Sequence, residues 1–283
     1  METVRAVTYN LHHGIGLILA FFGMALLTAC FSLFNNTWIL VCSAIVSILL
    51  IVQYTLSTLY NSLQISSETS PANYSASEEL ANILTHGAGL VLTFVGMVFL
   101  ADQANQEGSF WKLTGYVVYS TTLIFQYTFS TIYHSVRQVR LKGLMRVLDH
   151  CAIFLLIAGT YTPFFLVNLR GQWGFSLFIL TWVLALAGVL FQVSSSRKWQ
   201  KCSPLLYIGM GVVVLCFGFK PMVDNIASSG LILLLLGAFA YCIGVFFYRK
   251  KTLRYNHAIW HLFVLTGSAL HYFALLYYCV SPI

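Results

Sequence analysis

The last apolar segment of the chain begins NHAIWHLF, and this stretch places two histidines four residues apart. His257 and His261 therefore share one face of a helix, the arrangement by which a helix offers two ring nitrogens to one metal ion. The same spacing also occurs in helices that bind no metal, so the pair alone is a weak signal. His271 lies ten residues beyond His261, about 15 Å along a helix axis, and we do not expect it to reach the same ion.

A third histidine ends a polar stripe on an earlier apolar segment. Thr122, Gln126, Ser130 and His134 recur every four residues and so line one face of a helix. Polar side chains in a bilayer face the interior of a helix bundle, because lipid cannot form hydrogen bonds with them. Hydrogen bonding between helices would explain Thr122 and Gln126 equally well, whereas a histidine at the end of the stripe contributes less to packing.

Long apolar segments must position these side chains. Of the 283 residues, 59% are hydrophobic and 8% charged, whereas a soluble domain carries about 25% charged residues. Continuous apolar runs of about 20 residues indicate helices, since strands of a membrane barrel would alternate. We therefore predict an all-α polytopic membrane protein. Its nine predicted transmembrane helices are 14–34, 38–60, 84–101, 111–135, 147–168, 172–194, 204–220, 230–248 and 257–280.

Basic residues are concentrated in alternate loops. Twelve of the 15 lysines and arginines lie near the N-terminus or in the loops 137–146, 197–201 and 249–254. An excess of positive charge marks the cytoplasmic side, so we expect the N-terminus in the cytoplasm and, after nine spans, the C-terminus outside. The net charge of +7 is explained by this topology. No nucleic-acid-binding motif is present, and we expect no nucleic-acid partner.

This topology brings three histidines and a carboxylate to the cytoplasmic ends of their spans. His134 ends one span, His257 and His261 begin another, and Asp149 begins a third on the same side. Three histidine ligands leave the fourth position of tetrahedral zinc to water, as in catalytic sites. Such a zinc-bound water ionises near neutral pH and can attack a carbonyl group. We expect Asp149 to hold or deprotonate the water, although it could instead pair with Arg146.

An internal repeat precedes this constellation. Residues 13–62 align without gaps with residues 86–135, and 21 of the 50 aligned positions are identical. The earlier copy has Asn61 at the position of His134, so we interpret it as a copy that has lost its ligand. We predict two parts, a degenerate duplicated transmembrane hairpin (1–72) that binds no metal and a seven-helix core (73–283).

Four segments carry a resemblance to a known family. They are EELANILTHGAG (78–89), STIYHS (130–135), LDHCAIFLLIAGTYTPF (148–164) and HAIWHLFVLTGSALHYF (257–273). At these residues the chain resembles the hemolysin III and progestin/adipoQ receptor family, which includes the adiponectin receptors. The bacterial hemolysin III branch is the most similar, and the segments run in the family's order.

The resemblance implies a zinc ion near the cytoplasmic surface of a seven-helix bundle. It assigns the ion to His134, His257 and His261. Asp149 corresponds to the family's acidic residue beside the metal water, and Ser130 to its serine, which could hydrogen-bond a substrate carbonyl. Candidate supporting residues, whose roles the sequence does not explain, are Glu79, Asn82, His86 and His271.

Two classes of function are compatible with these residues. Related receptors are associated with ceramide hydrolysis, which implies a zinc-dependent hydrolase that cleaves an amide or ester bond of a membrane lipid in the bacterial cytoplasmic (inner) membrane. The alternative is a non-enzymatic sensor or regulator of membrane lipids, or a haemolysin, with a structural zinc. A set of three histidine ligands beside Ser130 and Asp149 favours a catalytic zinc site, since a structural site would supply a fourth protein ligand. The expected partners are lipids, and the sequence leaves the oligomeric state open.

Overall fold

The described part of the chain is a bundle of long helices. A computed structural model of the protein describes residues 74–194, 200 and 202–280, and within these residues there are seven α-helices and no β-strand. The helices are α1 (Ala76–Gln106), α2 (Phe110–Ser135), α3 (Val139–Leu166), α4 (Gln172–Ser194), α5 (Ser203–Asn225), α6 (Ser228–Arg249) and α7 (Asn256–Tyr278). The predicted spans 14–34 and 38–60, and with them the hairpin 1–72, lie outside the described residues.

The seven helices correspond to the last seven predicted spans. Five of them, α1 and α4 to α7, are long and apolar enough to cross a membrane by length and composition. Helices α2 and α3 are similarly long, with 26 and 28 residues, but carry more polar side chains, and most of those are buried. The outward surface is apolar, with exposed residues such as Leu92, Leu190, Phe217 and Phe239. This arrangement is that of an integral membrane protein.

Two helices begin earlier than predicted. Helix α1 starts at Ala76 rather than at residue 84, and α3 starts at Val139 rather than at residue 147. In both cases the extra turns contain charged side chains, which lower the local hydropathy without weakening the helix. The apolar run therefore marks only part of each helix.

The helices pack in chain order around a closed ring. Each helix contacts the next, α7 returns to contact α1, and α3 also contacts α5 and α7. Two tyrosines hold α2 against α7: the Tyr116 hydroxyl donates to the Leu275 carbonyl oxygen at 2.8 Å, and the Tyr119 hydroxyl donates to the Ser268 carbonyl oxygen at 3.0 Å. Helices α2 and α7, which carry the predicted histidine ligands, are thereby fixed relative to each other.

The beginnings of α1 and α7 are joined. Ser75 and Glu78 form a capping box, in which the Ser75 backbone N–H donates to Glu78 Oε2 at 2.9 Å. Glu78 Oε1 also accepts the backbone N–H of Tyr255 at 3.0 Å, and Tyr255 lies just before α7 with a left-handed φ of 58°. This link places the first turn of α7, with His257, beside the first turns of α1.

Helices α2 and α3 approach closely at a glycine. A Cβ atom at Gly159 would lie 2.8 Å from Thr122 Cγ2 and 3.0 Å from Thr122 Cβ, whereas a Cβ atom at Gly143 on the same helix would meet nothing within 4 Å. Thr122 is fully buried, so it cannot move aside into solvent. The contact sets the separation of the two helices that carry His134 and Asp149.

We expect Gly159→Ala to destabilise the bundle by about 1–3 kcal/mol, because overpacking outweighs the gain in helix propensity. Gly143→Ala is the matched control and should be neutral or stabilising by up to about 1 kcal/mol. The measurement is thermal unfolding of the purified variants in detergent. A Gly159→Ala protein that melts at or above the temperature of the Gly143→Ala protein would contradict the packing described.

Candidate metal centre

The three predicted histidine ligands converge. His134 at the end of α2 and His257 and His261 on the first turns of α7 are buried, and each offers a ligand atom within 4.8 Å of the other two. Their ring centroids lie 4.5 Å apart for His257 and His261, 4.8 Å for His134 and His257, and 5.2 Å for His134 and His261. The prediction that these side chains meet is confirmed.

Three nitrogens of this histidine cluster lack hydrogen-bond partners among the described residues. Within the described residues, His134 Nε2 and both nitrogens of His257 are buried and form no hydrogen bond. Leaving a buried polar atom unpaired costs about 1–3 kcal/mol. A metal ion bound by neutral imidazoles would satisfy these atoms, and three nitrogen ligands suit zinc with one position open. The donor set therefore fits the expected metal.

His134 is oriented by a residue of α1. Its Nδ1 atom lies 2.6 Å from Glu79 Oε2. A carboxylate can only accept, so Nδ1 carries the proton and donates it to Glu79. The opposite nitrogen, Nε2, is then free to bind metal, as in the carboxylate–histidine–metal arrangement of many metalloproteins.

His261 is oriented in the same way. Its Nδ1 atom lies 3.2 Å from the backbone carbonyl oxygen of Asn82 and 3.0 Å from Thr85 Oγ1. Because a carbonyl oxygen accepts, Nδ1 again carries the proton and Nε2 is left as the ligand atom. The His86 ring stacks on the His261 ring with centroids 3.5 Å apart and planes inclined by 14°. Stacking restricts rotation of the His261 ring.

The α1 motif that the sequence could not explain thus surrounds the histidine cluster. Glu79, Asn82 and His86 follow one another at spacings of three and four residues, and so share the face of α1 that meets α2 and α7. This spacing was the feature of the sequence that indicated a shared helix face. It did not reveal Thr85, which lies beside this face and supports His261.

Two further residues near the cluster were missed. The Tyr74 ring lies 5.3 Å from the His257 ring and 6.1 Å from the His134 ring, just before α1 begins. Burial raises the pKa of the Tyr74 hydroxyl, which therefore remains protonated. Lys142 lies on α3, and its Nζ atom is 3.0 Å from Glu79 Oε1. In the sequence Lys142 counted only as one of many cytoplasmic basic residues.

Asp149 lies farther into the bundle than predicted. It is ten residues into α3, about 15 Å of helical rise, rather than at the start of the helix. Its Oδ1 atom accepts a hydrogen bond from Gln126 Nε2 at 3.1 Å, and Oδ2 is 3.8 Å from His150 Nδ1. Asp149 is outside the histidine cluster and, among the ion pairs of the described residues, has none with Arg146.

Ser130 lies between these two groups. It is midway between Gln126 and His134 on the buried face of α2, and its Oγ atom makes no hydrogen bond within the described part of the chain. The polar stripe of α2 therefore faces the interior, as predicted. It connects Asp149 to the histidine cluster along one side of the bundle.

His271 belongs to a different environment. Its Nε2 atom lies 3.1 Å from the Leu234 carbonyl oxygen on α6, and the side chain is not part of the histidine cluster. It lines an apolar cavity of about 140 Å³ between α3, α5, α6 and α7. Other lining residues are Ile153, Leu156, Tyr207, Tyr241 and Trp260. Ile153 is one helical turn beyond Asp149, so the cavity begins near that carboxylate.

Comparison with known proteins identifies a family that spans this site. A family described as Haemolysin-III related matches residues 74–272. Hemolysin-3 of Bacillus cereus is 41% identical over 201 residues, which are 71% of this chain and 91% of that protein. The Hemolysin-3 homolog of Bacillus subtilis (strain 168) is 38% identical over 208 residues, 74% and 97% of the two chains.

A more distant similarity extends to animal proteins. The human Monocyte to macrophage differentiation factor is 28% identical over 210 residues, 70% of this chain and 83% of that protein. The region that matches the haemolysin-III-related family, residues 74–272, contains the described helices from α1 into α7. It also contains the histidine cluster and its α1 motif. The chain belongs to the haemolysin-III-related family, as the resemblance of its four sequence segments implied.

Proposed function

We propose that the protein is a zinc-dependent hydrolase that cleaves an amide or ester bond of a membrane lipid. The observation that carries the proposal is the histidine cluster. Its three side chains are buried and converge, two are oriented through Nδ1, and His134 Nε2 and both nitrogens of His257 have no partner within the described residues. Ser130 and Asp149 lie along the same side of the bundle, where a substrate bound near the cluster would meet them.

The chain's own residues supply the remaining chemistry. Bound zinc would lower the pKa of a water molecule and polarise a carbonyl group. Asp149 accepts the proton that water loses during attack and passes it to the leaving group, while Gln126 holds its Oδ1 atom in place. Ser130, whose Oγ atom has no partner in the described residues, donates a hydrogen bond to the carbonyl oxygen as negative charge develops.

The apolar cavity supports a lipid substrate. It begins one helical turn beyond Asp149 and is lined almost entirely by aliphatic and aromatic side chains. A hydrocarbon chain can move from the bilayer into such a cavity while staying in apolar surroundings, whereas a polar chain would lose hydrogen bonds there. A substrate with a reactive polar link and an apolar chain matches a polar cluster followed by an apolar cavity. The apolar walls therefore favour lipids as the partners of the protein.

The second candidate function is a non-enzymatic lipid sensor or a haemolysin with a structural zinc. The bacterial relatives bear the name Hemolysin-3, which supports this reading. Against it, the histidine cluster comprises three protein ligands among the described residues, and a structural zinc usually has four. We therefore favour catalysis.

We place the histidine cluster on the cytoplasmic side of the bacterial inner membrane. Lys142 and Arg146 lie near the connection between α2 and α3, and Lys251 and Arg254 lie between α6 and α7, at the end of the bundle that holds the cluster. The opposite connections carry few basic residues, which supports this orientation.

A reporter fused after Ile283 should behave as extracytoplasmic, because α7 would carry the chain outward from its basic start. A fusion within residues 250–255 is the control and should behave as cytoplasmic. The measurement is the activity of a compartment-specific reporter enzyme in whole cells. A cytoplasmic signal from the C-terminal fusion would reverse the proposed orientation.

The purified protein should contain one zinc ion per chain, and His134→Ala should remove it, because two histidines of one helix bind zinc far more weakly than three. His271→Ala, which alters a buried histidine outside the cluster, is the control and should keep the metal. Metal content is measured by elemental analysis. Stoichiometric zinc in a His134→Ala, His261→Ala double variant would rule out the assignment.

Asp149→Asn should keep its zinc and lower the rate of hydrolysis about 10²- to 10⁴-fold, the range expected when a general base is lost. Asp102→Asn is the control and should leave the rate unchanged. Within the described residues the Asp102 carboxylate accepts a hydrogen bond from the Gln106 amide on the same helix at 2.8 Å, away from the histidine cluster. The assay is release of product from a panel of amide- and ester-linked lipids. Zinc-loaded wild-type protein that cleaves none of them would support the sensor or haemolysin instead.

A further inference from the structure

Lys142 occupies an unusual place for a lysine. It lies on the first turn of α3, where α1, α2 and α3 meet, and only 8% of its surface is exposed. Lysine side chains are almost never buried without a partner, because removing the ammonium group from water is costly. The contacts of its Nζ atom explain why this burial is tolerated.

The Lys142 ammonium group uses all of its hydrogen-bonding capacity. Nζ lies 3.0 Å from Glu79 Oε1, 3.1 Å from the Tyr133 carbonyl oxygen and 3.2 Å from the Val136 carbonyl oxygen. An ammonium group has three protons, so each acceptor receives one. The two carbonyl groups lie at the C-terminal end of α2, where helical carbonyls lack partners within the helix. Lys142 thus joins the end of α2, which carries His134, to α1.

Glu79 connects Lys142 to the histidine cluster. One carboxylate oxygen accepts from Lys142, and the other lies 2.6 Å from His134 Nδ1. The Glu79 side chain is 16% exposed, so without Lys142 it could rotate towards the cytoplasm. Rotation would remove the acceptor that keeps the proton on His134 Nδ1 and directs Nε2 towards the other two histidines.

We propose that Lys142 is a positioning residue of the metal centre that acts through Glu79. It contacts none of the three histidines in the hydrogen bonds described, yet it holds the carboxylate that orients His134. This inference rests on the proposed zinc site and adds a residue to it. The competing explanation is that Lys142 only stabilises the end of α2 by binding its carbonyl groups.

The chain provides a matched control in Lys112. This lysine is 1% exposed, and its Nζ atom lies 2.7 Å and 2.8 Å from the two carboxylate oxygens of Glu107, near the start of α2. Lys112 is therefore also a buried lysine paired with a glutamate and located at one end of α2, but at the end opposite His134. Lys112→Met should lower stability without affecting the metal.

The experiment measures the zinc dissociation constant by competition with a chelator in detergent. The proteins are wild type, Lys142→Met, Lys142→Gln, Glu79→Gln, the Lys142→Met, Glu79→Gln double variant, and Lys112→Met. We expect Lys142→Met to bind zinc about 10- to 100-fold more weakly, the usual effect of removing a supporting residue of a metal ligand. Lys142→Gln keeps a hydrogen-bond donor for the carbonyl groups but removes the positive charge. It replaces Lys142→Met in the comparison if that variant does not fold.

The double variant distinguishes the two explanations. If Lys142 acts through Glu79, the double variant should bind zinc no more than about twofold more weakly than Glu79→Gln alone, since coupled residues are not additive. The visible absorption bands of the cobalt-loaded protein should also shift in the Lys142 variants and stay unchanged in Lys112→Met.

Two results would overturn the inference while leaving the metal centre intact. One is an unchanged zinc dissociation constant in both Lys142 variants, and the other is a double variant whose loss equals the product of the two single losses. Wild-type protein that binds no zinc would instead overturn the proposed metal centre, and this inference with it. The experiment therefore distinguishes failure of the Lys142 inference from failure of the proposed metal centre.

Discussion

A bilayer offers no hydrogen bonds, so polar side chains within the membrane are buried inside the bundle. The described helices follow this constraint: leucine, valine and phenylalanine side chains cover the outside, while amides, hydroxyls and histidines are buried. The most polar helices, α2 and α3, consequently contribute most to the interior. The buried polar stripe of α2 then forms a path from Asp149, through Ser130, to the histidine cluster. The site follows from where a membrane protein can place polar groups.

The first turns of α1 combine two tasks. Ser75 and Glu78 close the N-terminus of the helix and bind the backbone before α7, while Glu79 and Asn82 orient ligands on α2 and α7. The structural link therefore brings together the helices whose side chains must meet. Lys142 extends the same junction to α3 through Glu79. The stability of this end of the bundle and the geometry of the histidine cluster consequently depend on shared contacts.

Unpartnered nitrogens are concentrated in and beside the histidine cluster. Within the described residues six buried histidine nitrogens lack a hydrogen-bond partner; five belong to His134, His257 and the neighbouring His86, and the sixth is His271 Nδ1. His271 is equally buried, but its Nε2 atom meets a backbone carbonyl oxygen, whereas both nitrogens of His257 lack partners within the described residues. Such atoms destabilise a fold unless a ligand satisfies them. Metal binding would therefore contribute to stability, since a ligand that binds only the folded state shifts the folding equilibrium. The apolar cavity has a different character, because its walls suit a hydrocarbon chain and contain few polar atoms.

The apolar runs, the distribution of basic residues and the spacing of the histidines were enough to predict the helical class, the last seven helices and the convergence of the three histidines. These features depend on the order of apolar runs and on spacing along one helix, which the sequence contains directly. Only the tertiary structure decided which helix orients each ligand, because contacts such as Asn82 with His261 depend on how neighbouring helices rotate and slide against each other. The same reason explains Asp149: the apolar run began late in α3, so the sequence could not show how far into the helix it lies. Lys142 was likewise one basic residue among many in a predicted cytoplasmic loop until the fold placed it beside Glu79.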